Sequence, residues 1–258
     1  MKTPIGHIIC NTLVCILSIM IPEGIISGQM SDEGQKITSI INKVVEASGG
    51  KETIESMRSL YAKGEIEAFM LHDQGTYEFY FKQGRKLRVE TRYKHSSELR
   101  ILNGDKGYRS NDGLPFEEVH GPRYFAMVYQ YKHLDILRGL ANGIYNVSLE
   151  GVSSVNGDDV DILKLNDKEG TLMDIYVGKS NPLILKVTGY FSEGSKKMNL
   201  SSEFSDFRKV RGLVLPFKTT NYAEGLKIGQ TVINQYVMNP DIADFLFEPA
   251  IMQSLSTK

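Results

Sequence analysis

The chain has 258 residues, of which 41% are hydrophobic and 24% charged, with a formal net charge of −1. This is the balance of a globular chain with enough apolar residues for one large β domain or two small ones. Lys/Arg and Asp/Glu are interspersed, which argues against the clustered basic face of a nucleic-acid binder, so no nucleic-acid partner is expected.

Residues 1–29 read as a secretory signal. One lysine precedes the 14-residue, mostly apolar run IICNTLVCILSIMI, which Pro22 ends and small residues follow. The run falls short of the ~20 residues of a spanning helix, although an uncleaved anchor is the alternative. Both cysteines, Cys10 and Cys15, lie inside it, preceded by Ile9 and Val14 where a lipid-modified cysteine needs a small residue. The remaining chain then has no disulfide and no thiol chemistry, and export without disulfides fits a bacterial periplasm.

Next comes SDEGQKITSIINKVVEASGG. Ile37, Ile40, Ile41, Val44 and Val45 recur at helical spacing, Ser31 or Asp32 can cap the start, and Gly49-Gly50 stops the helix. From Ser59 the period changes to two. In GTYEFYFKQGRKLRVETRY (75–93), Tyr77, Phe79 and Phe81 share a face that Leu87, Val89 and Thr91 continue after a turn at Gln83-Gly84. Glu78, Tyr80, Lys82, Arg88, Glu90 and Arg92 form the polar back. Turn signals every ten residues or so then predict an antiparallel meander. PRYFAMVYQYKHLDILRGLANG (122–143) interrupts it; its apolar residues fit helical spacing only in pieces, which predicts two short helices bent near Lys132. Strands resume from Tyr145, and DIADFLFEP closes the chain.

The reading is a mainly β, single domain over 30–258, with about ten or eleven strands, an N-terminal helix and a helical insertion at 122–143. Ten strands at ~4.8 Å spacing make a sheet roughly 45–50 Å wide, while a helix is only ~10–12 Å across. Two helices cannot blanket such a sheet, so it must curl into an incomplete barrel and can leave an apolar groove.

Chemical motifs are sparse. His72, His95, His120 and His133 form no metal pair, and His133 reads as a helix-surface histidine. The pairs Glu117-Glu118 and Asp158-Asp159 sit in apparent turns as solvated acids. There is no G-x-S-x-G elbow and no phosphate loop, so neither catalysis, metal nor cofactor is expected. The basic cluster Lys82, Arg85, Lys86, Arg88, Arg92 and Lys94 could meet anionic headgroups. Solubility and protection of strand edges are the better reading, since Glu78 and Glu90 interrupt it.

Several stretches carry a resemblance to a known family. VVEASGGKETIESMRSLYAKGEI, FKQGRKLRVE, LNGDKGYRSNDG, the meander from Val147 to Tyr190, FSDFRKVRGLVLPFKTTNY and VMNPDIADFLFEP resemble the LolA/LolB-like, outer-membrane lipoprotein-sorting group. Tyr108 stands where that group often has Trp. The resemblance implies an incomplete β-barrel around a hydrophobic cavity with helices as a lid. It also implies acyl chains of lipoproteins or lipids as partners, with possible membrane docking proteins. The liners expected are Ile66, Tyr77, Phe79, Phe81, Leu87, Val89 and Ile101, with Phe125, Val128 and Leu137 from the lid. Two other readings stay open: an envelope interaction module with a filled core, and a hydrolase with a scattered site.

Overall fold

The computed structural model describes residues 32–170 and 172–249. The expected signal segment, both cysteines and Ser31 lie outside them. Two helices, α1 (Asp32–Ala47) and α2 (Lys51–Ser56), precede β1 (Ser59–Ala68), β2 (Asp73–Lys82), β3 (Lys86–Tyr93), β4 (Ser97–Asn103), β5 (Lys106–Asn111) and β6 (Glu117–Val119). Helix α3 (Gly121–Ala141) leads to β7 (Asn146–Val155), β8 (Asp158–Asn166), β9 (Leu172–Gly178), β10 (Ile184–Glu193), β11 (Lys196–Val210), β12 (Leu213–Ala223) and β13 (Leu226–Met238). A short 3-10 turn, Asp244–Phe247, follows.

All thirteen described strands belong to one antiparallel sheet, ordered β6-β5-β4-β3-β2-β1-β13-β12-β11-β10-β9-β8-β7. The fold class is as expected, but ten or eleven strands was an undercount. One of the additional strands is β6, whose three residues are too few to show alternation. The last strand, β13, pairs with β1 and joins the two meanders at the centre. The outermost strands β6 and β7 are both edges, so the barrel is unclosed.

The curl is visible in one ionic contact. Seven strand spacings separate β3 from β9 in the sheet order, about 34 Å along a flat sheet. Yet Arg85, in the β2–β3 turn, donates from Nη1 to both carboxylate oxygens of Glu169, in the β8–β9 turn, at 3.1 Å. Lys132 of α3 also bonds Glu169, at 2.9 Å, and Asp167. The two wings of the sheet therefore reach across α3 and are tied over it.

The insertion is one continuous 21-residue helix and not two bent pieces. No proline or glycine interrupts it between Pro122 and Gly139, so nothing forces a kink. Its apolar pattern looked broken because α3 lies in the trough and is buried on several sides. Met127, Val128 and Tyr131 join a core with β1–β4, whereas Tyr129, Ile136 and Leu140 join a second core with α1 and β8–β11. A helix packed on two flanks has no single apolar stripe. Gly189 of β10 permits the approach of α3, since a Cβ there would strike the Tyr129 ring. On α1, Ile40, Val44 and Val45 are buried as the spacing predicts.

The convex face also carries a layer. Ile242 and Phe247, from the closing segment, pack against Ile101 of β4. Lys82 and Lys86 hold Asp244 at 2.7 and 3.0 Å, and Arg88 donates to the Leu246 carbonyl. The polar back of the β2–β3 hairpin is thus a docking face for the closing segment.

Candidate functional site

The two cores do not meet everywhere. Between them, under α3 and against β1, β2 and β11–β13, lies an inner chamber of about 970 Å³ counted to its open mouth. Leu60, Phe79, Leu215 and Ile233 from one core and Ile136, Ile184 and Phe204 from the other form its mainly apolar wall. A second space of about 840 Å³, again counted to its mouth, continues from it toward the β1–β2 tip. This vestibule is lined by Ile66, Glu67, Tyr93, Arg100 and Tyr222, among others.

Strand register explains the hollow. Leu102, Leu87, Phe81, Leu60 and Met238 stand side by side across β4, β3, β2, β1 and β13, and their bulk closes that end of the trough. Further along β1 and β13, Ile66 and Thr231 form a row with Thr219 of β12 and Phe204 of β11, and beyond it come Ala68, Gly229, Asn221 and Ser202. Side-chain volume tapers along the strand axis under one continuous helix, so space opens toward the vestibule.

One stripe of α3 faces this space. Ala126, Gln130, His133, Leu134 and Leu137 line one or both compartments, at the spacing of a single helix face. His133 is not the helix-surface residue that the sequence predicts, because the cupped sheet covers that side of the helix. Its ring stands edge-on to Tyr129 and Phe204, with centroids 5.4 and 5.6 Å away. Burial pushes its pKa down to about 4, so the imidazole is neutral at pH 7. Its Nδ1 has no hydrogen-bond partner among the described residues. Gln130 Nε2 donates to the Tyr77 hydroxyl at 2.9 Å, and burial raises that phenol to about 12.

Of the expected liners, Tyr77, Phe79 and Leu137 border the inner chamber, while Ile66 borders the vestibule. Phe81, Leu87, Val89 and Val128 are instead packed in the first core, with Phe81 stacked on Tyr131 at 5.2 Å. Phe125 packs between Tyr129 and Phe191. Ile101 is misplaced in the sequence reading. It pairs in register with Arg88 and Tyr108 and lies on the convex face under Phe247. The next residue, Leu102, is the one that faces the core, a one-residue shift that inverts sidedness. The walls from β11–β13 were missed. Their signal was the change in β12 from Leu213 and Leu215 to Thr219 and Asn221, small polar residues on a face begun by bulky ones.

The basic cluster is largely used internally. Lys82 and Lys86 bind Asp244, Arg85 binds Glu169, and Arg88 and Arg92 bind Glu90. Among the described residues no group of three or more His, Cys, Asp or Glu stands together as metal ligands. No described helix is long and apolar enough to cross a membrane.

No family model matches the chain, and no curated protein is significantly similar to it. Solved structures are. A DUF1329 family protein from Desulfovibrio piger superposes with a TM-score of 0.53 at 16% identity, covering 82% of this chain and 97% of that one. A LolA superfamily protein from Nitrosomonas europaea superposes with a TM-score of 0.50 at 15% identity, over 81% and 96% of the two chains. This is a LolA-like fold. A domain described as that of an outer membrane lipoprotein-sorting protein, from Vibrio parahaemolyticus, gives a TM-score of 0.50 at 13% identity over 81% and 97%. In the LolA-like frame of this chain, the hollow falls where α3 crosses the central strands β1, β13 and β12.

Proposed function

We propose that the protein is a non-catalytic carrier or binding protein for lipoproteins or other acyl lipids in the bacterial periplasm. Its inner chamber would hold an acyl chain and its vestibule would admit it. The observation that carries this reading is the apolar chamber left between two well-packed cores, at a place where small side chains keep it from being filled. The LolA-like fold supports it, as does the secretory character of residues 1–29.

The chemistry of holding is desolvation. Each buried methylene is worth ~0.8 kcal/mol, and about ten of them give roughly 8 kcal/mol against an association cost of about 4–15 kcal/mol. Affinity therefore depends steeply on chain length. The test is mass spectrometry of lipid copurified with the full chain, followed by displacement of a fluorescent acyl probe from delipidated protein by methyl esters of increasing length. Affinity is expected to rise about fourfold per methylene until the chamber is full. Absence of copurified lipid together with no displacement at any length would overturn the reading.

A further inference from the structure

The two compartments share a neck. Tyr77, Gln130, His133, Asn221 and Thr231 border both the apolar chamber and the vestibule. All five side chains carry hydrogen-bonding groups, although the chamber beyond them is largely apolar. Buried polar groups are normally partnered within the protein, because leaving one dry and unpaired is destabilising.

Here the internal partnering stops short in a consistent direction. The Tyr77 oxygen accepts from Gln130 Nε2 at 2.9 Å, which leaves the phenolic proton to donate and the Gln130 carbonyl to accept. Asn221 Oδ1 accepts from the Ser202 hydroxyl at 2.9 Å, itself 3.2 Å from the Tyr129 hydroxyl, and this fixes the carboxamide with its nitrogen left as donor. His133 Nδ1 is buried without a hydrogen-bond partner among the described residues, its ring set steeply against those of Tyr129 and Phe204. The neck thus offers donors and acceptors, held by second residues behind them, on opposite walls: α3 on one side, β2, β12 and β13 on the other.

None of these five neck side chains carries a full charge, and His133 is neutral. Charge begins at the vestibule wall, where Arg100 acts on the Tyr77 phenol but already lies 3.3 Å from Glu98, with Glu67 on the same wall. A carboxylate or phosphate placed at the neck would lose its water for no more than a share in that one cation. An ester or amide group suits it, since its carbonyl accepts and an amide nitrogen donates.

We propose that this neck is a binding site for the uncharged ester or amide linkage of an acylated molecule, with the alkyl tail in the inner chamber and the remainder of the head in the vestibule. It rests on the reading that the cavity holds an acyl chain, and it specifies which part of the cargo is recognised. Bare hydrocarbons and free fatty-acid anions are then the poorer ligands.

Displacement of the fluorescent acyl probe from the delipidated full chain tests it, using a fatty methyl ester, the fatty amide, the free fatty acid at pH 7 and the n-alkane, all of one chain length and delivered from cyclodextrin. The ester and amide are expected to bind about tenfold more tightly than the alkane, one good hydrogen bond's worth, and more tightly than the acid. In Gln130→Leu/His133→Leu that ratio is expected to fall to near one. Thr231→Val, nearly isosteric, is expected to lower it about threefold and serves if the double variant does not fold. Equal binding of ester and alkane by the unaltered protein overturns the neck site while leaving the carrier reading intact. So does a preference that survives both variants. No displacement by any of the four overturns the carrier reading itself.

Discussion

Two ends of one sheet face differ in what they do with the same helix. At the β2–β3 turn end, Phe81, Leu87, Leu60 and Leu102 meet α3 through Tyr131 and Met127 and close the trough. At the β1–β2 tip end, Thr219, Asn221, Thr231 and Gly229 meet α3 through Gln130 and His133 and leave it open. One sheet and one helix form both ends, and the side chains between them differ in volume. A cavity in this fold needs no special architecture, only a taper in residue size along a few strands.

Truncation breaks the contrast most strongly. Leu87→Ala removes a 2% exposed side chain from the filled end and is expected to cost about 3–4 kcal/mol in chemical denaturation. Leu215→Ala, at a 9% exposed position on the chamber wall, is expected to cost about 2 kcal/mol, because its neighbours already border space. Equal losses would mean that the chamber is not hollow in solution. Enlargement should keep the order. Leu87→Phe overpacks and is expected to cost about 1–3 kcal/mol. Leu215→Phe has room, so stability should change by under ~1 kcal/mol while the acyl probe loses at least about tenfold in affinity.

Acid provides a third, smaller lever. The folded pKa of His133 is about 4, below its ordinary 6.5, so as pH falls the unfolded chain takes up this proton first. This histidine destabilises nothing above pH ~7, and its contribution worsens as pH drops toward 4. Between pH 7 and 5 the full linkage is about 2 kcal/mol, discounted to about 1 kcal/mol because the ring borders the cavity. His133→Leu should lose that part of the pH dependence in urea melts, and an unchanged slope would place the ring in water. The smallest effect belongs to the tie between the wings. Glu169→Gln is expected to cost under ~1 kcal/mol at low salt and nothing at 1 M salt, because Glu169 is half exposed.

Sequence patterns revealed the architecture better than the cavity. Strict alternation in 75–93 placed Tyr77, Phe79 and Phe81 on the buried face correctly, because period two survives wherever one face is wet. Ile101 escaped the same reasoning: the closing segment covers its convex face, so β4 is apolar on both sides and alternation cannot say which is inward. The continuity of α3 was hidden by burial on two flanks. The chamber itself depends on which short residues of β12 and β13 stand opposite which face of α3. That is a matter of register between segments about 90 residues apart, which no local pattern records.

A shut cylinder of strands can change its girth only by unzipping main-chain bonds. In this one, β6 and β7 are not paired with each other among the described residues. The gap over α3 is spanned instead by the Arg85–Glu169–Lys132 tie and by side-chain packing. A change in the coil of this sheet would therefore leave every rung of its ladder intact.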